Sequence, residues 1–363
     1  MQFTIYANDG LARTGVIKTS HGDIKTPAFM PVATHAAMRR LDYSMLECVK
    51  NDIFMSNTYH LHLRPGSDVI RDLGGLHGFT SWNGPWITDS GGFQVFSLAD
   101  LNKVTDDGVH FRSHLDGSKV FLGPKESMTI QTNLQSDIVM AFDECPKADI
   151  SRDEMALSIE RTHKWALICL ENRPPQPQNL YGIVQGGTFI DFREKSRDFF
   201  ANLPFDGLAM GGLAVGEGHD KMVRVLEDVP LPNEKPRYLM GVGWPKDIFA
   251  AVALGYDQFD CVLPSRNGRN GTAFTTDGKV NIKRKEMQRN SDPLDTHCLC
   301  NTCQRYSRGY LHHLLHIGEV LGGALISLHN LYFYEQMMEA IREAIRNGTF
   351  ETLRKEFLEK FDD

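Results

Sequence analysis

Eight short apolar runs between residues 28 and 262, each closing on small or polar residues, constrain this chain more than any other feature. They read AFMPV (28–32), DIFMSNT (52–58), WITDS (86–90), IVMAFDE (138–144), YGIVQGG (181–187), LAMGGL (208–213), YLMGVG (238–243) and QFDCV (258–262). The runs are continuous rather than alternating, as parallel strands covered on both faces are. Helix-like segments lie between them, for example Arg152–Glu171, Phe192–Ala201 and Lys246–Leu254, the last opened by Pro245. Eight strands alternating with helices predict an α/β fold of the (β/α)8 TIM type. A length of 363 residues suits one such barrel with insertions.

The barrel is expected over residues 1–270. Within it, Phe3–Pro27 carries NDG and HGD turns and reads as a small antiparallel element at the barrel's N-terminal end. A hairpin insertion is expected near 101–122, where TDDG and LDGS separate β-prone runs. After the eighth strand comes a β pair, TAFTTDGKVNI, and then HCLCNTCQRY, which spaces Cys298, Cys300 and Cys303 as C-x-C-x2-C. Thiolates so close can grip one tetrahedral zinc, with a histidine as fourth ligand from among His297, His312, His313, His316 and His329. Four protein ligands leave no open position, so the metal reads as structural. Residues 271–335 are therefore expected to form a zinc-binding subdomain, and 336–363 a helical segment packing on the barrel.

Seven cysteines, three of them within six residues, fit a reducing compartment better than disulfides. The start MQFTIYANDG lacks an apolar signal core, and no window holds the roughly eighteen apolar residues of a membrane helix. A cytoplasmic protein without a membrane partner is expected. The net charge of −7 argues weakly against a polyanionic partner, but charge is unevenly spread. From Cys261 to Tyr310 nine Lys/Arg stand against four Asp/Glu. No P-loop pattern appears.

In this fold chemistry sits where strands end on the C-terminal face. The polar groups there are Asp89, Asp143, Gln185, the Gly211-Gly212 backbone and Asp260, so three carboxylates and an amide converge on one mouth. Asp260 also heads QFDCVLPSRNGRNG (258–271), which reads as a basic, glycine-rich loop.

Eight stretches in order resemble the queuine tRNA-ribosyltransferases, or tRNA-guanine transglycosylases, essentially end to end. They are TDSGGFQV (88–95), FDEC (142–145), GIVQGG (182–187), GGLAVGE (211–217), YLMGVG (238–243), FDCVLPSRNGRNG (259–271), the C-x-C-x2-C cluster and LHNLYF (328–333). The resemblance implies a (β/α)8 barrel with a zinc subdomain, in a homodimer. It implies exchange of guanine at the wobble position of tRNAs with GUN anticodons for a 7-deazaguanine, preQ1 in bacterial members. By the same resemblance Asp260 is the nucleophile and Asp89 the general acid/base. Asp143, Gln185 and the Gly212 amide would read the base, with Phe93 and Met240 sandwiching it. Leu213 would offer its carbonyl to the preQ1 aminomethyl group, supported by Glu217, and Cys298, Cys300, Cys303 and His329 would hold Zn2+. Val215 and Cys145 look like the preQ1 form of the pocket, with queuine as the alternative substrate. Ala33 departs from the family, which has glycine there.

The residue chemistry agrees with that implication. Guanine presents N1–H and N2–H donors beside the O6 acceptor, so a carboxylate and amide N–H groups complement it. Exchange with retention requires two displacements, hence a covalent intermediate on one carboxylate and proton transfer by another. Arg266 and Arg269 would clamp neighbouring phosphates of the anticodon loop, extended by Lys283, Arg284 and Lys285. Two other classes stand beside this one. A non-catalytic binding module should lack the paired aspartates, and a barrel N-glycoside hydrolase leaves the basic insertion without a use.

Overall fold

The computed structural model describes residues 2–94, 103–147 and 149–361. Eight parallel strands form one sheet: β4 (Ala28–Pro31), β5 (Phe54–Ser56), β6 (Trp86–Thr88), β10 (Ile138–Met140), β11 (Asn179–Val184), β12 (Gly207–Met210), β13 (Arg237–Leu239) and β14 (Gln258–Cys261). They correspond one to one with the eight apolar runs. Each lies beside its neighbour in chain order, and β14 returns to pair with β4, Gln258 opposite Ala28. A parallel bridge from Val32 to Met55 and the Ala33 N–H donating to the Met55 carbonyl (2.7 Å) close the barrel. Ala33 itself is fully buried at this seam.

Side chains of alternate register fill the barrel: Met30, Met55, Ile87, Ile138, Met140, Tyr181, Ile183, Ala209 and Tyr238 form one buried cluster. The opposite faces of the strands pack on the helices in a second, larger core. Both faces are apolar, which is why the runs show no alternation. Helix Arg152–Glu171 starts at a capping box of Ser151 and Glu154, and helix Pro245–Ala253 starts at its proline.

The antiparallel sheet β1 (Gln2–Asp9), β2 (Ala12–Thr19) and β3 (Gly22–Thr26) plugs the N-terminal end with Ile17 and Ile24. It is pinned there by Arg13, which donates in bidentate fashion to Asp257 (2.9 and 2.6 Å), both side chains buried. The predicted hairpin near 101–122 is three-stranded, β7 (Lys103–Thr105), β8 (Gly108–Arg112) and β9 (Lys119–Leu122). Positions 101 and 102 lie outside the described residues.

After β14 the chain departs from the expected loop. The stretch read as a glycine-rich loop is largely helix, Leu263–Arg269, with Pro264 in its first turn. Proline at a helix start lacks only an N–H that would be unpaired anyway, so it favours this outcome. Gly268 serves helix packing: a Cβ there would stand 2.5 Å from the Ser327 backbone. The β pair follows as β15 (Thr272–Thr275) and β16 (Gly278–Asn281). The long helix Val320–Asn347 then runs unbroken through position 335. No helix among the described residues is long and apolar enough to cross a membrane.

Candidate active site

The C-terminal strand ends surround a cavity of about 470 Å³ lined by Asp89, Asp143, Gln185, Gly212, Asp260 and Arg266, among others. Asp89 follows β6, Asp143 follows β10, and Asp260 lies within β14, so the C-terminal end of the barrel delivers all three carboxylates. Asp89 and Asp260 are partly exposed because they face the cavity.

Asp260 accepts two hydrogen bonds on a single oxygen, from the Tyr238 hydroxyl (2.5 Å) and the Gly241 N–H (2.7 Å). Oδ2 is left for other chemistry. Burial raises its pKa against these bonds, which favour the anion. Asp89 accepts from the Thr58 N–H (2.8 Å), the Gly91 N–H (3.2 Å) and the Asn57 amide. Burial still pushes its carboxyl up to about 7, with smaller contributions from the charges of Asp260 and Asp143. That value suits a group that must both give and take a proton near neutral pH.

Asp143 accepts from Gln185 Nε2 (2.7 Å) and Ser90 Oγ (3.2 Å), and burial raises it to about 6. Gln185 Nε2 thus spends one of its two hydrogens on Asp143, while Gln185 Oε1 is buried without a hydrogen-bond partner. A buried orphan acceptor at a cavity wall is costly unless a ligand donates to it. Gly212, at φ +63°, makes this arrangement possible, since a Cβ there would lie 2.3 Å from that oxygen. Glu217 holds the next turn by accepting from the N–H groups of Ala214 and Val215. In a trans peptide C=O opposes N–H, so the Leu213 carbonyl points away from Glu217. Phe93 (50% exposed) and Met240 also line the cavity, as do Cys145 and Val215.

Arg266 reaches the cavity, and Arg269 sits on the same helix. Burial and the neighbouring guanidinium groups of Arg39, Arg40 and Arg266 depress Arg269. Arg39 and Arg40, which the sequence reading passed over, therefore belong to the same positive rim. Lys283, Arg284 and Lys285 are exposed and do not line the cavity; Lys283 and Lys285 border a separate hollow with His312 and His316. Also missed were Asn57, Thr58 and Tyr238, which orient the carboxylates. Their only signal was a polar residue at the end, or an inward position, of a predicted strand.

Cys298, Cys300, Cys303 and His329 place their ligand atoms within 4.8 Å of one another. His329 Nδ1 lies 3.5, 3.5 and 3.2 Å from the three Sγ atoms, while its Nε2 meets the Phe274 carbonyl at 2.7 Å. A tetrahedral zinc bound to S and N has ligand edges of about 3.5 Å, so the set fits that ion. The carbonyl partner fixes the ring with Nδ1 toward the metal position. His312 is instead turned to the Ile282 carbonyl (2.8 Å).

A barrel whose mouth gathers three aspartates, followed in the chain by a Cys3His group, defines the class: a (β/α)8 enzyme with an appendage whose side chains could hold a metal ion. A family model described as "Queuine tRNA-ribosyltransferase" matches residues 9–363. The queuine tRNA-ribosyltransferase of Zymomonas mobilis is 49% identical over 366 residues, covering 99% of this chain and 95% of its own. That of Lachnoclostridium phytofermentans is 49% identical with 99% and 98% covered, and that of Fusobacterium nucleatum 47% identical with the same coverage. The chain belongs to the queuine tRNA-ribosyltransferase family. As a member it is a tRNA-guanine transglycosylase, an enzyme of queuosine synthesis.

Proposed function

We propose that this enzyme replaces the wobble guanine of tRNAs with GUN anticodons by the 7-deazaguanine preQ1, through a covalent ribosyl–aspartate intermediate. The observation that carries the reading is the meeting of Asp89, Asp143 and Asp260 in one cavity, with Asp89 near neutrality. The free oxygen of Asp260 attacks ribose C1′ as the bond to guanine N9 breaks, and Asp89 protonates the departing base. Asp89 then takes the N9 proton of preQ1, whose nitrogen attacks C1′ and expels Asp260. One glycosidic bond replaces another, so no nucleotide cofactor is consumed. Water must be excluded, because hydrolysis of the ester would leave an abasic site.

Asp143, Gln185 and the Gly212 amide read the base edge, Phe93 and Met240 cover its faces, and Leu213 receives the aminomethyl group with Glu217 holding its peptide. Val215 and Cys145 leave the wall closed enough to favour preQ1 over queuine. Arg266 and Arg269 grip the anticodon-loop backbone, with Lys283, Arg284 and Lys285 extending the contact. Cys298, Cys300, Cys303 and His329 hold one structural Zn2+ that stiffens residues 271–335 against the barrel of residues 1–270, with 336–363 as the helical segment that packs on it. The enzyme works in the cytoplasm as a homodimer.

The test is a denaturant-resistant RNA–protein adduct formed with substrate tRNA. Asp260→Ala should abolish it; an adduct persisting in that variant would move the nucleophile elsewhere. Nucleoside hydrolysis without guanine exchange would favour the hydrolase reading, which uses the same carboxylates.

A further inference from the structure

Arg193 stands behind the wall of the cavity rather than in it. It projects from helix Ile190–Ala201, is 0% exposed, and forms no ion pair with a carboxylate among the described residues. Its acceptors are all neutral. Nε donates to the Gly187 carbonyl (2.8 Å), Nη1 to the Val184 carbonyl (2.8 Å) and Met210 Sδ (3.2 Å), and Nη2 to the Gly212 carbonyl (3.3 Å). Burial lowers its pKa only to about 10, so the guanidinium is charged at neutral pH. The carboxylate of Glu217 favours its charge only from a distance, and a buried cation with no bonded counter-ion is expensive, whereas a neutral side chain would satisfy local packing at lower cost. Its acceptors belong to two adjoining strand ends, 184–187 and 210–212, which carry Gln185 and Gly212.

We propose that Arg193 is a positioning residue for purine recognition, a role that rests on the assignment of Gln185 and Gly212 to the base. Its rigid fork ties two strand-end loops into one surface. By drawing the Gly212 carbonyl to the rear, it turns the Leu213 N–H the opposite way. Its positive charge lies behind the groups that face O6, where electron density accumulates as the glycosidic bond breaks ahead of proton transfer from Asp89. Preorganised charge of this kind acts most strongly in a desolvated site. The ligand class it favours is a purine or 7-deazapurine carrying a 6-oxo group.

The experiment uses the full chain with its metal and substrate tRNA, comparing wild type, Arg193→Lys, Arg193→Gln and Asp143→Asn. The readouts are thermal unfolding, tRNA affinity, guanine affinity and kcat for guanine exchange. Both Arg193 variants should keep tRNA affinity within about twofold, as expected for a side chain outside the RNA path, while guanine affinity falls about tenfold or more. Arg193→Lys, which keeps the charge but not the fork, should retain more kcat than Arg193→Gln. Wild-type guanine affinity in either folded variant overturns the proposal. So does a parallel loss of tRNA and guanine affinity, or failure of both variants to fold, which would make Arg193 a structural pin. Asp143→Asn separates the two readings: if it too leaves guanine affinity intact, the base-reading assignment fails, not the role of Arg193 alone.

Discussion

The proposed exchange asks Asp89 to be acid and base in one cycle, and its surroundings suit a carboxylate to both tasks. Three donors favour its anion, yet desolvation outweighs them and holds the group near 7. The raised value has a consequence for stability. The native state holds this proton more tightly than the unfolded chain, so ionising Asp89 costs stability as pH rises from about 4 toward 7. Asp89→Asn should therefore gain urea stability relative to wild type across that window, with no further gain above it. A difference independent of pH would contradict the raised pKa. The three aspartates were legible in the sequence because each closes or ends an apolar run, where barrels place their chemistry. Their partners were not. Tyr238 lies 22 residues from Asp260, and Asn57 lies 32 from Asp89. The parallel pairing of neighbouring strands, β13 with β14 and β5 with β6, brings these groups together.

At the level of elements the strands were plain and the helix after β14 was not. Strands buried on both faces advertise themselves as unbroken apolar runs. Helix Leu263–Arg269 has the composition of a loop, LPSRNGR, and owes its form to packing on the long helix Val320–Asn347. Asn330 of that helix donates to the Pro264 and Thr272 carbonyls, and Ser327 Oγ to the Ser265 carbonyl. Gly268→Ala should force the two helices apart, because the obstructing atoms are backbone and cannot rotate away. The expected cost is about 1–3 kcal/mol in thermal unfolding. Since Arg266 and Arg269 ride on the displaced helix, the KM for tRNA should rise more than that for the free base. Equal changes would mean that these arginines do not contact the RNA.

For the whole molecule, a net charge of −7 conceals a basic rim around an acidic cavity. Binding of tRNA should weaken steeply with added salt, as counter-ion release requires, and a flat salt response would exclude phosphate contacts as the source of affinity. The proposed metal site belongs to the same scale, because His329 sits one residue from Asn330 on the helix that braces Leu263–Arg269. Cys300→Ser should release the metal and lower stability by several kcal/mol; unchanged metal content would refute the ligand set. The same helix reaches the other end of the chain: Arg342 donates to the carbonyl of Pro27 (2.9 Å), at the threshold of β4. During synthesis on the ribosome, therefore, β4 emerges ahead of the other barrel strands and waits for β14 and Arg342, which are made much later. The nascent protein must shelter an unzipped edge while the rest of the barrel is made, and its birth order makes helix Val320–Asn347 the bolt that ends that exposure.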